Sequence, residues 1–313
     1  MPKLITRRRL GILGLSCLVL LLAGELVARF GIGLGDPPLS VEHPTIEYMF
    51  APNQDCKRFG NRVHINAYGM RSPDFPKEKS DPEEFRVMVL GDSVINGGSL
   101  IDQSQLATTL LQQELTQSLN RPVVVGNISA GSWGPANLLA YAQTFGFFDA
   151  DVILIVVSSH DARDVPTFEP LSPNSHPTKA PRTALGEGVA RYLPRYLPSR
   201  SSNSETNASP YTTQPADPES LDAFLKLLGL AKESGARVAV IQHWTRDELT
   251  ANQPEPGHAE LAKTAEDLGI PTYQTAEHFR QADDPAALYR DHIHPTAMGQ
   301  TSIQRTLHIA SSE

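Results

Sequence analysis

The sequence predicts an α/β fold, a three-layer α/β/α domain of the flavodoxin-like kind with a five-stranded parallel sheet. From residue 86 onward, short apolar runs of strand length alternate with longer segments whose apolar residues recur at helical spacing. Some runs, such as Val152–Val157, are apolar throughout, as expected of strands that are covered on both faces. Such alternation is typical of a parallel sheet whose strands are joined by right-handed helical crossovers.

Five apolar runs are predicted to be the strands of this sheet. Valine, isoleucine and leucine dominate the first four runs, and β-branched side chains pack well on a pleated surface. The fifth run is short. In chain order, the predicted strands cover residues 87–90, 123–125, 152–157, 238–242 and 271–273.

The segments between these strands are predicted to be helices. The first covers about residues 103–119, where leucines form a stripe at helical spacing. The second begins at Pro135, because proline is favoured in the first turn of a helix. Two further helices end at Gly235 and Gly269, since glycine readily adopts the left-handed conformation that ends a helix. A last helix begins after Pro295.

The charge of the chain limits its possible partners. The 313 residues carry a formal net charge of −8, and the first 30 residues are themselves basic, so the remainder is more acidic still. Nucleic acid binding requires clustered lysine and arginine. We therefore expect no nucleic acid partner, and an acidic body also disfavours polyanionic substrates.

The N-terminus predicts a membrane anchor. Residues 1–9 are basic and precede an apolar segment, residues 10–30, whose Glu25 can pair with Arg29 four residues later. This length suffices to cross a bilayer, and basic residues before the span favour a cytoplasmic N-terminus. We expect a retained signal anchor, with the rest of the protein extracytoplasmic, in the periplasm or at the cell surface. A cleaved secretory signal and a twin-arginine export signal are the alternatives.

Two segments lack the regular alternation of the domain. Residues 31–82 are rich in proline, glycine and charge, and are predicted to form an extended stalk or wrap before the domain, residues 83–313. Residues 163–217 are a long insertion crowded with proline, serine, threonine and asparagine, with a short amphipathic segment over 184–197. A loop of this length is functional or disordered, so we retain two interpretations, a mobile lid and a flexible surface insertion.

Two short motifs carry the chemistry. Gly91-Asp92-Ser93 follows the first strand directly, which places Ser93 at the carboxyl end of the sheet. Asp291 stands three residues before His294, just ahead of the last helix. If that segment is a turn, Asp291 and His294 face each other, and His292 points elsewhere. A serine, a base and an orienting carboxylate are the parts of a nucleophilic hydrolase. A helix-capping cluster with solvated histidines is the alternative for the second motif.

Four segments of this chain, in order, resemble the blocks of the SGNH/GDSL hydrolases. They are Gly91-Asp92-Ser93, residues 127–134 after the second strand, Ser158-Ser159-His160-Asp161 after the third strand, and Asp291-x-x-His294. The preceding Asn66-x-x-Gly69-x-Arg71 is similar to a segment in the membrane-anchored bacterial branch of that family.

This resemblance implies a role for each matching residue. Ser93 would attack an ester carbonyl, His294 would be the base, and Asp291 would orient it. No metal and no organic cofactor is implied. The family's oxyanion hole uses the serine N–H, a second-block glycine N–H and a third-block asparagine side chain.

The oxyanion-hole positions depart from the family pattern. His160 stands in place of the asparagine, and a neutral imidazole N–H can donate as the amide does. In the second block the register puts Ser132 at the glycine position, with Gly131 one residue earlier. We therefore expect the hole to consist of Ser93, His160 and the N–H of Ser132 or Gly131, with Ser132 favoured.

We accordingly expect an extracytoplasmic serine hydrolase that cleaves carboxylic esters, such as O-acyl groups on a glycan or a lipid. Three alternatives remain open. One is an O-acyltransferase on the same fold, and another is a non-catalytic domain that binds glycan. The third is a metallohydrolase with ligands drawn from Asp92, His160, Asp161, Asp291, His292 and His294.

Overall fold

The N-terminal helix is apolar and largely uncovered by the rest of the protein. The computed structural model describes residues 7–193 and 215–312. Helix α1 (Arg7–Leu26) continues into a π-helical turn, Val27–Ile32. The segment Leu10–Ile32 is long and apolar enough to cross a membrane, by length and composition, and its most apolar stretch is not buried inside the protein. A signal sequence near an N-terminus has the same properties.

Residues 31–82 are part of the domain, so the prediction of an extended stalk was wrong. They form two antiparallel hairpins, β1 (Ser40–His43) with β2 (Glu47–Phe50) and β3 (Gln54–Arg58) with β4 (Asn61–Ile65). Several apolar side chains of this segment join the core beneath the sheet, namely Ile46, Tyr48, Met49 and Met70. The segment wraps the domain because these side chains bury apolar area there.

The Arg71 side chain ties this wrap to the loop that carries Ser93. The guanidinium is fully buried and donates to the backbone carbonyls of Asn96, Gly98 and Ile101. Buried arginine is tolerated only when its N–H groups are satisfied, and here they also hold together the short helical turns that follow Ser93.

The central sheet has the predicted architecture. Five parallel strands lie in the order β6-β5-β7-β8-β9. Each predicted strand is found, with ends that differ by up to a few residues. The strands are β5 (Phe85–Gly91), β6 (Val123–Ser129), β7 (Val152–Val157), β8 (Arg237–Gln242) and β9 (Thr272–Gln274).

Helices cover both faces of the sheet, which confirms the three-layer α/β/α prediction. In β5, Val87 and Val89 belong to the core cluster on one face, whereas Met88 and Leu90 belong to the cluster on the other. Each such buried side chain contributes about 1.5–3 kcal/mol. The remaining described helices are α2 (Ser93–Asn96), α3 (Ala107–Leu119), α4 (Pro135–Phe145), α5 (Ala184–Glu187), α6 (Pro218–Glu233), α7 (Arg246–Ala251), α8 (Pro256–Asp267), α9 (Ala276–Phe279) and α10 (Ala297–Ser312).

The insertion predicted over 163–217 is described in part. Residues 163–183 are irregular, and α5 and a π-helical turn, Gly188–Tyr192, follow them. This helical piece corresponds to the start of the amphipathic segment predicted over 184–197. Residues 194–214 lie outside the described part of the chain. Whether the insertion acts as a lid therefore stays a prediction.

Candidate active site

Ser93 is the first residue of a short helix at the carboxyl end of β5. Asp92 caps that helix, because its carboxylate accepts the N–H of Val94 at 2.9 Å. Gly91 permits the tight approach at the strand end. A Cβ at this position would lie 3.1 Å from the Ile95 side chain and 3.3 Å from the carbonyl of Val156. The strand, the glycine and the cap together hold Ser93 at the edge of the sheet.

Asp291 and His294 lie in the turn before α10 and face each other as predicted. The Asp291 carboxylate accepts the N–H groups of Ile293 at 3.0 Å and His294 at 2.8 Å. The same carboxylate lies 2.8 and 3.0 Å from His294 Nδ1. Burial raises the pKa of Asp291, but the two backbone N–H groups and His294 outweigh it and lower that pKa. Asp291 is therefore held as a carboxylate.

The imidazole of His294 joins this carboxylate to Ser93. His294 Nε2 lies 2.9 Å from Ser93 Oγ. Because Nδ1–H donates a hydrogen bond to the carboxylate, Nε2 is left to accept the serine proton. The geometry thus brings the three residues into one hydrogen-bonded chain, although Ser93 and His294 are 201 residues apart in sequence.

A buried histidine that the sequence analysis did not single out fixes the turn that carries His294. His243 directly follows β8 and is fully buried. Its Nε2 lies 2.9 Å from the carbonyl of Ile293, and its Nδ1 lies 3.3 Å from Thr275 Oγ1. Burial lowers the pKa of His243 to about 4, so its ring is neutral and donates from Nε2. Its position at a strand's carboxyl end was the available signal.

His160 lies among carboxylates. Its Nε2 is 3.5 Å from Asp92 Oδ2 and 3.8 Å from Asp161 Oδ1, and its side chain is 29% exposed. Burial lowers the pKa of His160, but Asp161, Asp92, Asp164 and Glu255 outweigh burial and raise it. The surroundings therefore favour an imidazolium, whereas the sequence analysis took the ring as a neutral donor.

The buried Asp161 beside His160 is the second perturbed group. Its side chain accepts the N–H of Ser158 at 2.6 Å. Burial raises the pKa of Asp161, although the positive charge of His160 opposes that rise. His160, at the position predicted for an oxyanion donor, therefore lies beside a buried carboxyl group.

The N–H of Ser132, favoured as an oxyanion donor, is already occupied. It donates to the hydroxyl of Tyr48 at 3.0 Å, and Ser132 Oγ lies 3.1 Å from the same oxygen. Burial raises the pKa of Tyr48, so the phenol stays neutral, and the Gly131 backbone also interacts with its oxygen. Tyr48 lies in β2, far away in the sequence, and no local pattern identified it.

A cavity of about 580 Å³ opens in front of Ser93. His292 lines this cavity, whereas the sequence predicted that its side chain would point elsewhere. Burial raises the pKa of both Asp164 and Glu255, which line the cavity with Asp92 and Asp217. The further lining residues include Ser93, Gly131, Ser132, Ser159, His160, Arg163, Ile293 and His294.

Within the described residues, three side chains of this site are close enough to bind one metal ion. Ligand atoms of Asp92, His160 and Asp161 all lie within 4.8 Å of one another. The other residues considered as ligands do not join this group. Of the six candidate ligands of the metallohydrolase alternative, Asp291 and His294 instead bind each other, and His294 also contacts Ser93.

Comparisons with known proteins give a similarity in fold only. No family model matches the sequence. No curated protein matches it significantly. The fold is similar to that of several solved structures of low sequence identity.

The α/β hydrolase enzyme LAE5 from the metagenome of Lake Arreo is 15% identical, with a TM-score of 0.47 over 72% of this chain and 94% of that chain. A lipase/acylhydrolase from Enterococcus faecalis is 13% identical, with a TM-score of 0.43 over 72% and 96%. An acetyl xylan esterase from Geobacillus stearothermophilus is 14% identical, with a TM-score of 0.45 over 76% and 97%. Similarities this low carry no information about activity, and the fold assignment rests on the sheet itself.

Proposed function

We propose that this chain is a serine hydrolase that cleaves carboxylic esters, of the SGNH/GDSL type that its four motifs resemble. The observation that carries the proposal is the hydrogen-bonded chain from Asp291 through His294 to Ser93, with contacts of 2.8 and 2.9 Å. Its serine lies at the carboxyl end of a parallel sheet and opens onto a cavity. A hydrogen-bonded carboxylate, imidazole and serine are typical of sites in which a serine is activated by a base.

The proposed reaction has two half-reactions. Ser93 Oγ attacks the carbonyl carbon while its proton passes to His294 Nε2, and Asp291 stabilises the imidazolium that forms. The tetrahedral intermediate collapses, and His294 returns the proton to the leaving alcohol. Water then gives a proton to His294 and attacks the acyl-enzyme, which releases the carboxylic acid and restores Ser93.

The oxyanion that forms in each half-reaction requires donors. The Ser132 N–H is bound to the Tyr48 hydroxyl, and the Gly131 backbone also interacts with that oxygen. The remaining candidates are therefore the N–H of Ser93 and the side chain of His160. A protonated His160 would supply a charge-assisted hydrogen bond, which is about twice as strong as a neutral one. Loss of one oxyanion donor typically costs about 10²–10³-fold in rate. His160 is therefore the residue on which the rate depends beyond the triad.

The cavity favours a neutral ester. Four carboxyl groups line it, those of Asp92, Asp164, Asp217 and Glu255. They outnumber the basic Arg163 and His160, so the lining disfavours an anionic acyl or alcohol group. Carboxyl groups also accept hydrogen bonds from hydroxyl groups. These features support the expectation of an O-acyl group on a glycan or another neutral alcohol as substrate.

We further propose that the protein is anchored in a membrane with its catalytic domain outside the cytoplasm. The apolar segment Leu10–Ile32 supports the anchor, and the basic residues before it support the orientation.

Labelling with a fluorophosphonate tests the serine mechanism. We expect the folded protein to be labelled, and Ser93→Ala to abolish both the label and the hydrolysis of short-chain aryl esters. Ser159→Ala is the control, because Ser159 lines the same cavity and should leave labelling unchanged. Labelling that persists in Ser93→Ala would contradict the proposed serine mechanism. If an added sugar acceptor yields acylated sugar in place of free acid, the protein is a transferase.

A metal-dependent hydrolase is the second candidate, supported by the convergence of Asp92, His160 and Asp161. A bound divalent ion would lower the pKa of a water molecule and supply a hydroxide. In that case a chelator would abolish ester hydrolysis, added Zn²⁺ or Mn²⁺ would restore it, and Ser93→Ala would remain active. Full activity in the chelator would remove this candidate.

A further inference from the structure

The short helix of the insertion is fixed to the outer end of the proposed membrane anchor. Glu25 of α1 accepts the backbone N–H of Ala184 at 2.8 Å and that of Leu185 at 3.0 Å. Its carboxylate also pairs with Arg29 at 3.1 Å. A single carboxylate of α1 thus caps the N-terminus of α5, where N–H groups otherwise lack partners.

Apolar contacts continue this attachment. Leu185 lies against Gly24, where a Cβ would come within 3.5 Å of its side chain. Ala28, Leu34 and Ala184 form a small buried cluster, against which Leu185 and Tyr192 pack. The helical segment 184–192 therefore runs beside the last turns of α1.

The length of α1 sets the depth of this contact in a bilayer. The uncharged run from Leu10 to Gly24 is about 22 Å long at 1.5 Å per residue. The hydrocarbon core of a bilayer is about 30 Å thick. With the basic residues at the start of α1 at the inner boundary, Glu25 lies about 8 Å inside the outer boundary of the hydrocarbon core. The residues that Glu25 binds then lie at the depth of an interfacial helix, which is about 5–10 Å into the boundary between headgroups and acyl chains.

The same end of the molecule exposes large apolar side chains. Phe30 is 76% exposed, Val189 is 59% exposed and Leu193 is 45% exposed. Isolated exposed apolar residues need no explanation, but these lie beside a helix that already faces lipid. An interfacial helix buries such side chains among the headgroups and upper acyl chains.

Basic side chains accompany this apolar surface. Arg29, Lys57 and Arg182 line a cavity of about 670 Å³ beside residues 30–36, together with one acid, Asp36. Lysine and arginine near a membrane surface attract anionic lipids, at about 1 kcal/mol each. The charge of this face therefore complements a bilayer surface.

A buried ion pair attaches α5 to the domain. Arg58 and Glu187 are fully buried and lie 2.7 Å apart, and Arg58 also donates to the Tyr192 hydroxyl at 2.8 Å. Glu187 accepts the N–H of Gly35 at 2.6 Å as well. Because α5 is held by both α1 and β3, any membrane contact of α5 would orient the domain.

We propose that residues 184–193, with Phe30, form a membrane-surface helix that docks the domain on the outer face of the bilayer in which α1 is anchored. The occupant of this apolar face is lipid, because the face continues the exposed apolar surface of α1 and lies at the depth that α1 sets. The inference rests on the proposed membrane anchoring and is independent of the hydrolase activity.

Depth-dependent fluorescence quenching of the full chain in phosphatidylcholine–phosphatidylglycerol vesicles tests this docking. In a Cys17→Ser background, in which Cys56 is buried, single cysteines at chosen positions carry an environment-sensitive dye. Vesicles with spin-labelled acyl chains should quench dye at Leu18→Cys fully and dye at Val189→Cys in part. Dye at Leu225→Cys on α6, which is 44% exposed, should not be quenched. Leu225 is the matched control for an exposed apolar position outside the docking face.

The outcomes separate the docking from the anchor. Quenching at Leu18→Cys without quenching at Val189→Cys would overturn the docking and leave the anchor intact. Absence of quenching at Leu18→Cys would overturn the anchor, and the docking with it. Glu25→Ala removes the cap of α5, so it should reduce the quenching at Val189→Cys and leave that at Leu18→Cys unchanged. Equal quenching at Val189→Cys with and without Glu25 would remove Glu25 from the docking.

Discussion

At the scale of single residues, each polar group of the site is controlled by its immediate neighbours. Asp291 is held as a carboxylate by two backbone N–H groups, and it fixes the tautomer of His294. His243 is held neutral by burial and supports the same turn from behind. The carboxylates around His160 raise its pKa and so favour its imidazolium form. Three histidines of one site thus have three different electrostatic environments.

The raised pKa of His160 predicts the alkaline side of the pH profile. A group with a raised pKa keeps its proton at low pH and loses it as the pH rises through that pKa. If the imidazolium stabilises the oxyanion, kcat for ester hydrolysis should fall on the alkaline side. Because asparagine donates without titrating, His160→Asn should remove that decline. The measurement is kcat against pH in both proteins.

His292→Asn is the control for this prediction. His292 lines the same cavity but has no carboxylate partner in an ion pair with it among the described residues. Its substitution should leave the alkaline decline unchanged. If His160→Asn shows the same decline as the parent protein, His160 does not act as a charged donor.

The lowered pKa of His243 predicts acid sensitivity of the fold. In the unfolded chain this histidine binds a proton near pH 6.5, whereas in the folded protein it does so only near pH 4. Its contribution to stability is thus present above pH 6.5 and is lost as the pH falls towards 4, by up to about 1.4 kcal/mol per pH unit. His243→Gln should reduce this acid dependence of the free energy of unfolding, measured by urea denaturation at several pH values. An unchanged dependence would assign it to other groups.

At the scale of elements, the hairpin β1–β2 is a structural part of the site. Tyr48 binds the loop between β6 and α4 through its hydroxyl, and its carbonyl accepts the indole N–H of Trp133 at 2.8 Å. Glu47, beside it, accepts the N–H groups of Thr167 and Phe168 at the start of the insertion. One hairpin therefore links the loop between β6 and α4 to the insertion.

Removal of the Tyr48 hydroxyl tests this link. Tyr48→Phe keeps the ring and deletes the acceptor of the Ser132 N–H, so we expect a loss of about 1 kcal/mol in stability and a lower kcat with little change in KM. Tyr141→Phe is the matched control. Its hydroxyl donates to the carbonyl of Tyr68 at 2.9 Å in the same core, so it should reduce stability similarly and leave kcat unchanged. A kcat that rises in Tyr48→Phe would mean that the hydroxyl keeps the Ser132 N–H from binding the oxyanion.

At the scale of the whole molecule, segments distant in sequence close around the sheet. The wrap, residues 31–82, supplies core side chains and the Arg71 guanidinium that orders the Ser93 loop. The pair of Arg58 and Glu187 joins that wrap to the insertion. The domain therefore begins well before its first sheet strand.

Glu187→Gln tests the buried pair. The change leaves the charge of Arg58 buried without its counter-ion, and we expect a loss of about 3–5 kcal/mol in the free energy of unfolding. Asp55→Asn breaks the exposed pair with Arg62, and it should cost at most about 1 kcal/mol, because solvent screens that pair. Chemical denaturation of both variants measures the difference. Equal losses would show that burial does not set the cost here.

The fold and the proposed triad could be predicted from sequence because each rests on local pattern. Continuous apolar runs such as Val152–Val157 specify buried strands without knowledge of their partners. Ser93 follows such a run directly, and Asp291 and His294 lie within one turn. Parallel sheets then bring the strand ends to one edge, which makes the meeting of these residues predictable.

The remaining features depend on contacts between distant segments. The hydroxyl of Tyr48 meets Ser132 across 84 residues, and nothing in residues 31–82 has a periodicity that marks them as part of the core. The carboxylates around His160 likewise come from several segments, so their effect on its pKa could not be read from the order of residues.

The sequence by itself determined which apolar runs form the sheet strands and which residues of the proposed triad follow them. These residues are the serine after the first strand and the aspartate and histidine of the last turn. Only the tertiary structure decided which backbone N–H groups near Ser93 are already bound, which charge His160 favours, and where the wrap and the insertion attach. The physical reason is the distance along the sequence over which each interaction acts. Periodicity and turns act between near neighbours, whereas hydrogen-bond satisfaction, burial and electrostatics are set by whatever the fold brings together.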